Sequence, residues 1–150
     1  MTEQRSPLVQ ALDLQAHVEG GWFRETWRTA QNIPQSALGP AYNGPRSAAT
    51  AVYFLLHEDE VSKWHVVASD ELWIWQSGSP LELKLGGSGD SPEAGETIVL
   101  GMDTAAGQRP QALVPAGVWQ TARPLGSEPV LSTCIVAPGF DFADFRMTGQ

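Results

Sequence analysis

A chain of 150 residues has the length of one domain, and it is long enough to hide roughly 68–70% of its unfolded surface in a core. Its formal charge of −8 excludes a phosphate-backbone partner, which needs clustered Lys and Arg. No apolar run approaches the ~20 residues of a membrane-spanning helix, the first residues carry no secretory apolar segment, and the single cysteine, Cys134, excludes an internal disulfide, so the reading is a cytoplasmic protein.

Along the chain, "SPLVQALDL" places Ser6 as a cap, Pro7 at the first helical position and apolar residues at Leu8, Val9, Leu12 and Leu14, which predicts a short helix near Pro7–Leu12. "EGG" at Glu19–Gly21 breaks it. "WFRETWR" then alternates, with Trp22, Arg24, Thr26 and Arg28 on one side and Phe23, Glu25 and Trp27 on the other. The Pro-, Asn- and Gly-rich connection Thr29–Ser47 reads as a flexible lid or as an arm over a neighbour. "TAVYFLL" is a nearly unbroken apolar strand. "ELWIWQ", "LELKL", "TIVL", "QALVP", "WQTA" and "VLSTCIVA" follow at short intervals, separated by turn signals such as "SGSP", "AAGQRP" and "LGSEP". Many short strands with Gly/Pro punctuation predict an all-β antiparallel sandwich or barrel. One domain over residues 1–150 is expected, with a lead-in over 1–20 and the barrel over 21–147. Cys134, inside "LSTCIV", reads as a buried structural thiol. His57, in "LLHEDE", reads as an exposed loop residue.

The stretch "SKWHVVASDELWIWQSG" reads as strand, tight turn, strand, with His65 and Glu71 flanking the turn. In a hairpin those two residues come opposite one another and are able to face the same cavity. Alternation puts Glu71, Trp73 and Trp75 on one face. A carboxylate among indoles needs a cation, a metal or a substrate hydroxyl to compensate its burial.

His65, Glu71 and Gly78 resemble the first motif of the cupins, and "VPAGVWQ" (residues 114–120) resembles the second, in which a His stands at the position of Gln120. The blocks "EGGWFRETWR", "RSAATAVYFLL", "SKWHVVASDELWIWQSGSPLELKL", "GQRPQALVPAGVWQTARP" and "CIVAPGFDFADF" together resemble one cupin subfamily, DUF985 or cupin-5, from about Leu14 to Met147. The resemblance implies a small β-barrel, the double-stranded β-helix, and a homodimer, with "WFRETWR" free to add to a neighbour's sheet edge. What the family does is not established.

The cupin metal site needs three His and one Glu. Here His65 and Glu71 remain, the second His position is Val67, and the last is Gln120, a weak amide ligand. His65, Glu71 and Gln120 would therefore hold at most a weakly bound divalent metal, and no cofactor is expected. Without a metal, His65 is placed to act as general base, Glu71 to orient it, and Tyr53 to act as the acid by analogy with sugar-epimerising cupins. Trp73, Trp75 and Trp119 offer flat faces to a sugar or nucleobase, Gln120 a donor, and Arg24 and Thr26 polar contacts near the opening. Asp141 and Asp144 read as turn residues and caps. Three readings follow: a metal-independent isomerase or epimerase acting on a sugar- or nucleotide-like ligand, a non-catalytic small-molecule-binding cupin, or a metal-dependent enzyme with an incomplete site.

Overall fold

In the computed structural model, which describes residues 6–148, Pro7 opens helix α1 (Pro7–Ala11), where its missing N–H leaves no intrahelical bond unmade. Ser6 is the cap by position, but its hydroxyl makes no capping bond. It meets His57 Nε2 at 2.9 Å instead. His57 is correspondingly buried, with Nδ1 2.8 Å from Glu60, so the expectation of an exposed loop histidine is corrected.

Among the described residues thirteen strands follow. They are β1 (Gln15–Ala16), β2 (Trp22–Arg28), β3 (Asn32–Ile33), β4 (Arg46–Ser47), β5 (Thr50–Leu56), β6 (Ser62–Val67), β7 (Asp70–Ser77), β8 (Leu81–Leu85), β9 (Thr97–Leu100), β10 (Gln111–Val114), β11 (Gln120–Pro124), β12 (Val130–Ala137) and β13 (Phe145–Met147). They form a six-stranded sheet in the order β1-β2-β5-β12-β7-β10 and a five-stranded sheet in the order β13-β6-β11-β8-β9, and β3 pairs with β4 alone. All named strand pairs are antiparallel. This is the barrel-like, all-β architecture that the strand and turn spacing predicts.

Strand alternation sorts the side chains. In β5 the even positions Val52, Phe54 and Leu56 face the barrel interior, and the odd positions Tyr53 and Leu55 face outward beneath α1, beside Val9 and Leu14. The interior between the sheets is filled at one end by Leu56, Leu81, Leu83, Leu100, Val114 and Val130. Each such side chain contributes about 1.5–3 kcal/mol by leaving water. The other end, nearer Glu71 and Val136, is not filled and remains a cavity.

Two local readings of the sequence are corrected. β6 and β7 are not a hairpin: they belong to different sheets, and the short link between them crosses the barrel edge. Strand β2 does not alternate to its end, because the register shifts between Glu25 and Trp27. The extra residue, Thr26, reverses the parity, so Arg28 joins Phe23 and Glu25 at the cavity. The connection Thr29–Ser47 lies against its own barrel: β3 pairs with β4, the Tyr42 hydroxyl meets Ser69 at 2.9 Å, and Arg46 holds Asp144 through bonds of 2.7 and 2.8 Å. Asp144 is thus the buried partner of an arginine and not a cap, whereas Asp141 does accept from the Ala143 N–H at 2.8 Å.

Candidate functional site

The cavity has a volume of about 410 Å³ and opens between the two sheets. Its walls are largely apolar, from Phe23, Val52, Phe54, Val67, Trp73 and Val136, with Phe140 and Phe142 at the mouth. Into it project His17, Glu19, His65 and Glu71, with Glu25, Arg28 and Asp141 near the opening.

His65 comes from β6. Its Nδ1 lies 2.8 Å from the Lys63 carbonyl, which accepts only, so Nδ1 carries the proton and Nε2 presents a lone pair. The Phe145 ring lies against the imidazole with centroids 5.4 Å apart. Burial lowers the His65 pKa, with Glu71 and the Lys63 carbonyl opposing, so the ring is neutral at neutral pH. Glu71 enters from β7 in the facing sheet. Burial raises its pKa, opposed first by His65.

Glu19 is delivered by the turn between β1 and β2. The turn closes through His17 N–H to the Gly21 carbonyl at 2.9 Å and Gly20 N–H to the His17 carbonyl at 3.0 Å. It is fastened to β6 by the Lys63 N–H, 2.7 Å from the Glu19 carbonyl. Gly20 has φ +109°, and a Cβ there would stand 2.0 Å from the Val61 carbonyl oxygen, so glycine alone lets the turn sit this close. The Glu19 side chain then points inward. Oε2 accepts from the Ser62 hydroxyl, and Oε1 lies 3.5 Å from His65 Nε2 and 3.6 Å from His17 Nδ1. Burial pushes its pKa up to about 8, partly offset by the Ser62 bond. His17, packed edge-on against Phe23 at 4.5 Å, is pushed down to about 4 by burial and then by His65.

The residues singled out from sequence separate into two groups. His65, Glu71 and Trp73 share the cavity wall. Gln120 stands behind it: its Nε2 donates to Glu71 Oε1 at 2.8 Å, and its Oε1 accepts from Trp73 Nε1 at 2.9 Å. The others lie elsewhere. Tyr53 is on the outward face of β5, beneath the Arg24 guanidinium at 5.5 Å, and Arg24 itself donates to the Leu12 carbonyl at 2.7 Å. Thr26 occupies the bulge and donates to the Ala51 carbonyl at 3.2 Å. Trp75 points inward but packs into the filled end of the barrel, donating to the Ser79 carbonyl at 3.0 Å. Trp119 packs outside the cavity, donating to the Gly89 carbonyl at 2.8 Å and covered by Arg146. The expectations that Tyr53 acts on the ligand with His65, that Trp75 and Trp119 stack on it, and that Arg24 and Thr26 contact it near the opening are corrected for these reasons. Sequence reasoning missed His17 and Glu19. The available signal was the acidic residue set directly before Gly-Gly, a pair that marks a turn in close contact and not simply a helix end.

The residues do not reproduce the three-His, one-Glu set that the fold family implies. An indole N–H only donates, so it fixes the Gln120 oxygen toward Trp73 and the amide nitrogen toward Glu71, an arrangement in which Gln120 braces its neighbours and is at most a weak ligand. Val67 supplies no donor. Among the described residues no group of three or more His, Cys, Asp or Glu side chains is arranged to hold a metal ion.

Comparison with known proteins places this geometry. The family model described as cupin superfamily (DUF985) matches residues 6–148. A hypothetical protein from Leishmania major is similar in structure, with TM-score 0.80, 27% identity, and coverage of 93% of this chain and 84% of that one. A protein from Shewanella oneidensis is 33% identical, with TM-score 0.78 and coverage of 97% and 85%. A Klebsiella pneumoniae protein with a double-stranded β-helix domain shares the fold at 17% identity, with TM-score 0.60 and coverage of 99% and 100%. No curated protein matches the chain.

Proposed function

Since the chain belongs to the DUF985 family of the cupin superfamily, the natural place for a ligand is the barrel interior, and we propose that the protein binds a small sugar-like hydroxy-carbonyl molecule there and isomerises it by proton transfer, without a metal and with His65 as general base. One observation carries this reading. His65 is neutral, its tautomer is fixed by the Lys63 carbonyl, and its Nε2, 3.5 Å from Glu19 Oε1, presents a lone pair at a cavity of about 410 Å³. A base in that state is ready to take a proton from a bound carbon acid, and the apolar walls keep water from competing. Trp73 and the phenylalanines supply faces for the carbon skeleton, and Glu71 a polar contact.

The second reading, a binding protein without turnover, is favoured by the weight of aromatic surface in the walls and by the state of Arg28. Its guanidinium is already held by Glu25 at 2.7 and 3.1 Å and by the Phe140 carbonyl at 3.0 Å. The test begins with a thermal-shift screen of keto-sugars, nucleotide sugars and nucleosides, followed by incubation of each stabilising compound in deuterium oxide. Solvent deuterium in the recovered ligand, reduced about 10²–10⁴-fold by His65→Asn with binding retained, is the expected result. Ligands that bind and return unlabelled favour the binding protein.

A further inference from the structure

Glu19 Oε1 lies 3.5 Å from His65 Nε2 and 3.6 Å from His17 Nδ1. His65 Nε2 presents its lone pair, because Nδ1 donates to the Lys63 carbonyl, whereas the His17 Nδ1 lone pair accepts the Glu19 backbone N–H at 3.1 Å. A carboxylate oxygen is repelled by the His65 lone pair it faces, and a protonated one turns its hydrogen toward that lone pair. Oε2 accepts from Ser62, which leaves the proton for Oε1. Two more ionisable groups share this buried region: Glu71, a second carboxyl on which a charged Glu19 acts unfavourably, and Cys134, a buried thiol hydrogen-bonded to Glu71.

We propose that Glu19 is the catalytic acid of the site: a carboxyl kept neutral with its proton on Oε1, paired with the base His65, and acting on an α-hydroxy carbonyl compound. The catalytic part rests on the reading above; the protonation state rests on the geometry alone. The reaction balances without a further reagent. His65 Nε2 takes a hydrogen from the carbon beside the carbonyl, and the C–H pair becomes a C=C bond. The carbonyl oxygen, receiving the C=O π pair, takes the proton of Glu19, which leaves an enediol, an imidazolium and a carboxylate. Glu19 then removes the proton of the other enediol hydroxyl, whose oxygen forms the new C=O bond. The C=C pair takes the proton of His65 at the former carbonyl carbon, and both side chains return to their starting states.

Infrared difference spectra of the purified protein test the protonation state. A carbonyl stretch of neutral carboxyl groups at neutral pH that loses intensity in Glu19→Gln, with the Glu71 contribution identified separately in Glu71→Gln, is the expected result. Its absence from the wild type, an undiminished band in Glu19→Gln, or a stoichiometric divalent metal in the wild type by elemental analysis overturns the proposal. Ser62→Ala removes the bond that favours the charged form, so the pH midpoint of the band rises; a fall or no change counts against the proposal, and this arm decides if Glu19→Gln does not fold. Deuterium uptake into dihydroxyacetone and D-fructose tests the catalysis. The wild type labels at least one, and Glu19→Gln loses about 10²-fold or more of that rate. A Glu19→Gln rate equal to wild type removes the catalytic role. No labelling by wild type removes the isomerase reading for these ketoses, and the infrared arms still decide the state of Glu19.

Discussion

Trp73 and Gln120 lie on strands of opposite sheets, and the indole N–H of one is bonded to the amide oxygen of the other across the barrel at 2.9 Å. That bond turns the amide nitrogen toward Glu71 at 2.8 Å, so Gln120 links two residues of the cavity wall, Trp73 and Glu71, from behind it. Gln120 is in direct register with His65 on the neighbouring strand, so the position at which cupins carry a metal-binding histidine here braces a carboxyl group instead.

Replacing Gln120 with Ala leaves the Trp73 N–H and a Glu71 oxygen without their partner in a buried place. The expected cost is about 1–3 kcal/mol, read as a lower urea midpoint with an unchanged slope. A change of only a few tenths would mean that water takes over both bonds, and that the brace is dispensable.

Stability should fall as pH rises above 6.5. Glu19 has a folded pKa of about 8 against an ordinary value of 4.5, so its contribution is full below 4.5 and is lost as pH rises through 8. His17 works in the opposite sense: its folded pKa of about 4 lies below the ordinary 6.5, so its contribution is lost as pH falls from 6.5 toward 4. Above 6.5 the carboxyls act alone. Glu19 adds a slope of up to about 1.4 kcal/mol per pH unit, and Glu71 adds to it in the same direction. Chemical denaturation at a series of pH values should show a shallower decline in Glu19→Gln; an unchanged slope there would contradict the assignment.

Gly20→Ala is expected to be severe for a surface-turn substitution. The new methyl would meet the Val61 carbonyl at 2.0 Å, and φ +109° is strained for alanine, which by itself costs about 1–3 kcal/mol. The turn must move, and Glu19 with it, so the variant should lose both melting temperature and the Glu19 carboxyl signal. Gly107→Ala, also at positive φ but with nothing within 4 Å, is the control and should cost only the backbone strain.

Cys134 lines the cavity but is 2% exposed, and burial raises its pKa well above the ordinary value. Alkylation by iodoacetamide at neutral pH should therefore proceed only as fast as the protein opens. Rapid labelling of the native state, measured by intact mass, would show a thiol more accessible than this packing allows.

The strands, their order along the chain and the short helix were legible because alternation and Gly/Pro turns are local signals. The inward face shared by Glu71 and Trp73 was legible for the same reason, since it needs only the two-residue period of β7. What local signals do not carry is the sheet to which a strand goes. β6 and β7, adjacent in sequence, join different sheets, so His65 and Glu71 meet across the barrel and not across a turn. One bulge at Thr26 was enough to move Arg28 from the Arg24 side to the cavity. Tyr53 fell on the wrong side because the apolar run "TAVYFLL" is buried on both faces, one under α1 and one in the barrel, and such a run gives no indication of which parity faces the ligand. Glu19 was hidden because its partners, Ser62 and His65, lie more than forty positions away.

The walls of the cavity come from residues 17–28 and 140–142 as well as from the strands between, and Phe145 seals His65 from behind. Contacts of that sequence separation are late and slow to form, because closing a long loop loses entropy before any packing compensates it. By this argument the cavity is expected to be among the last parts of the molecule to be assembled. A ligand of the proposed kind would hold both ends of the fold together there, so it should slow global unfolding more than it stiffens any single strand.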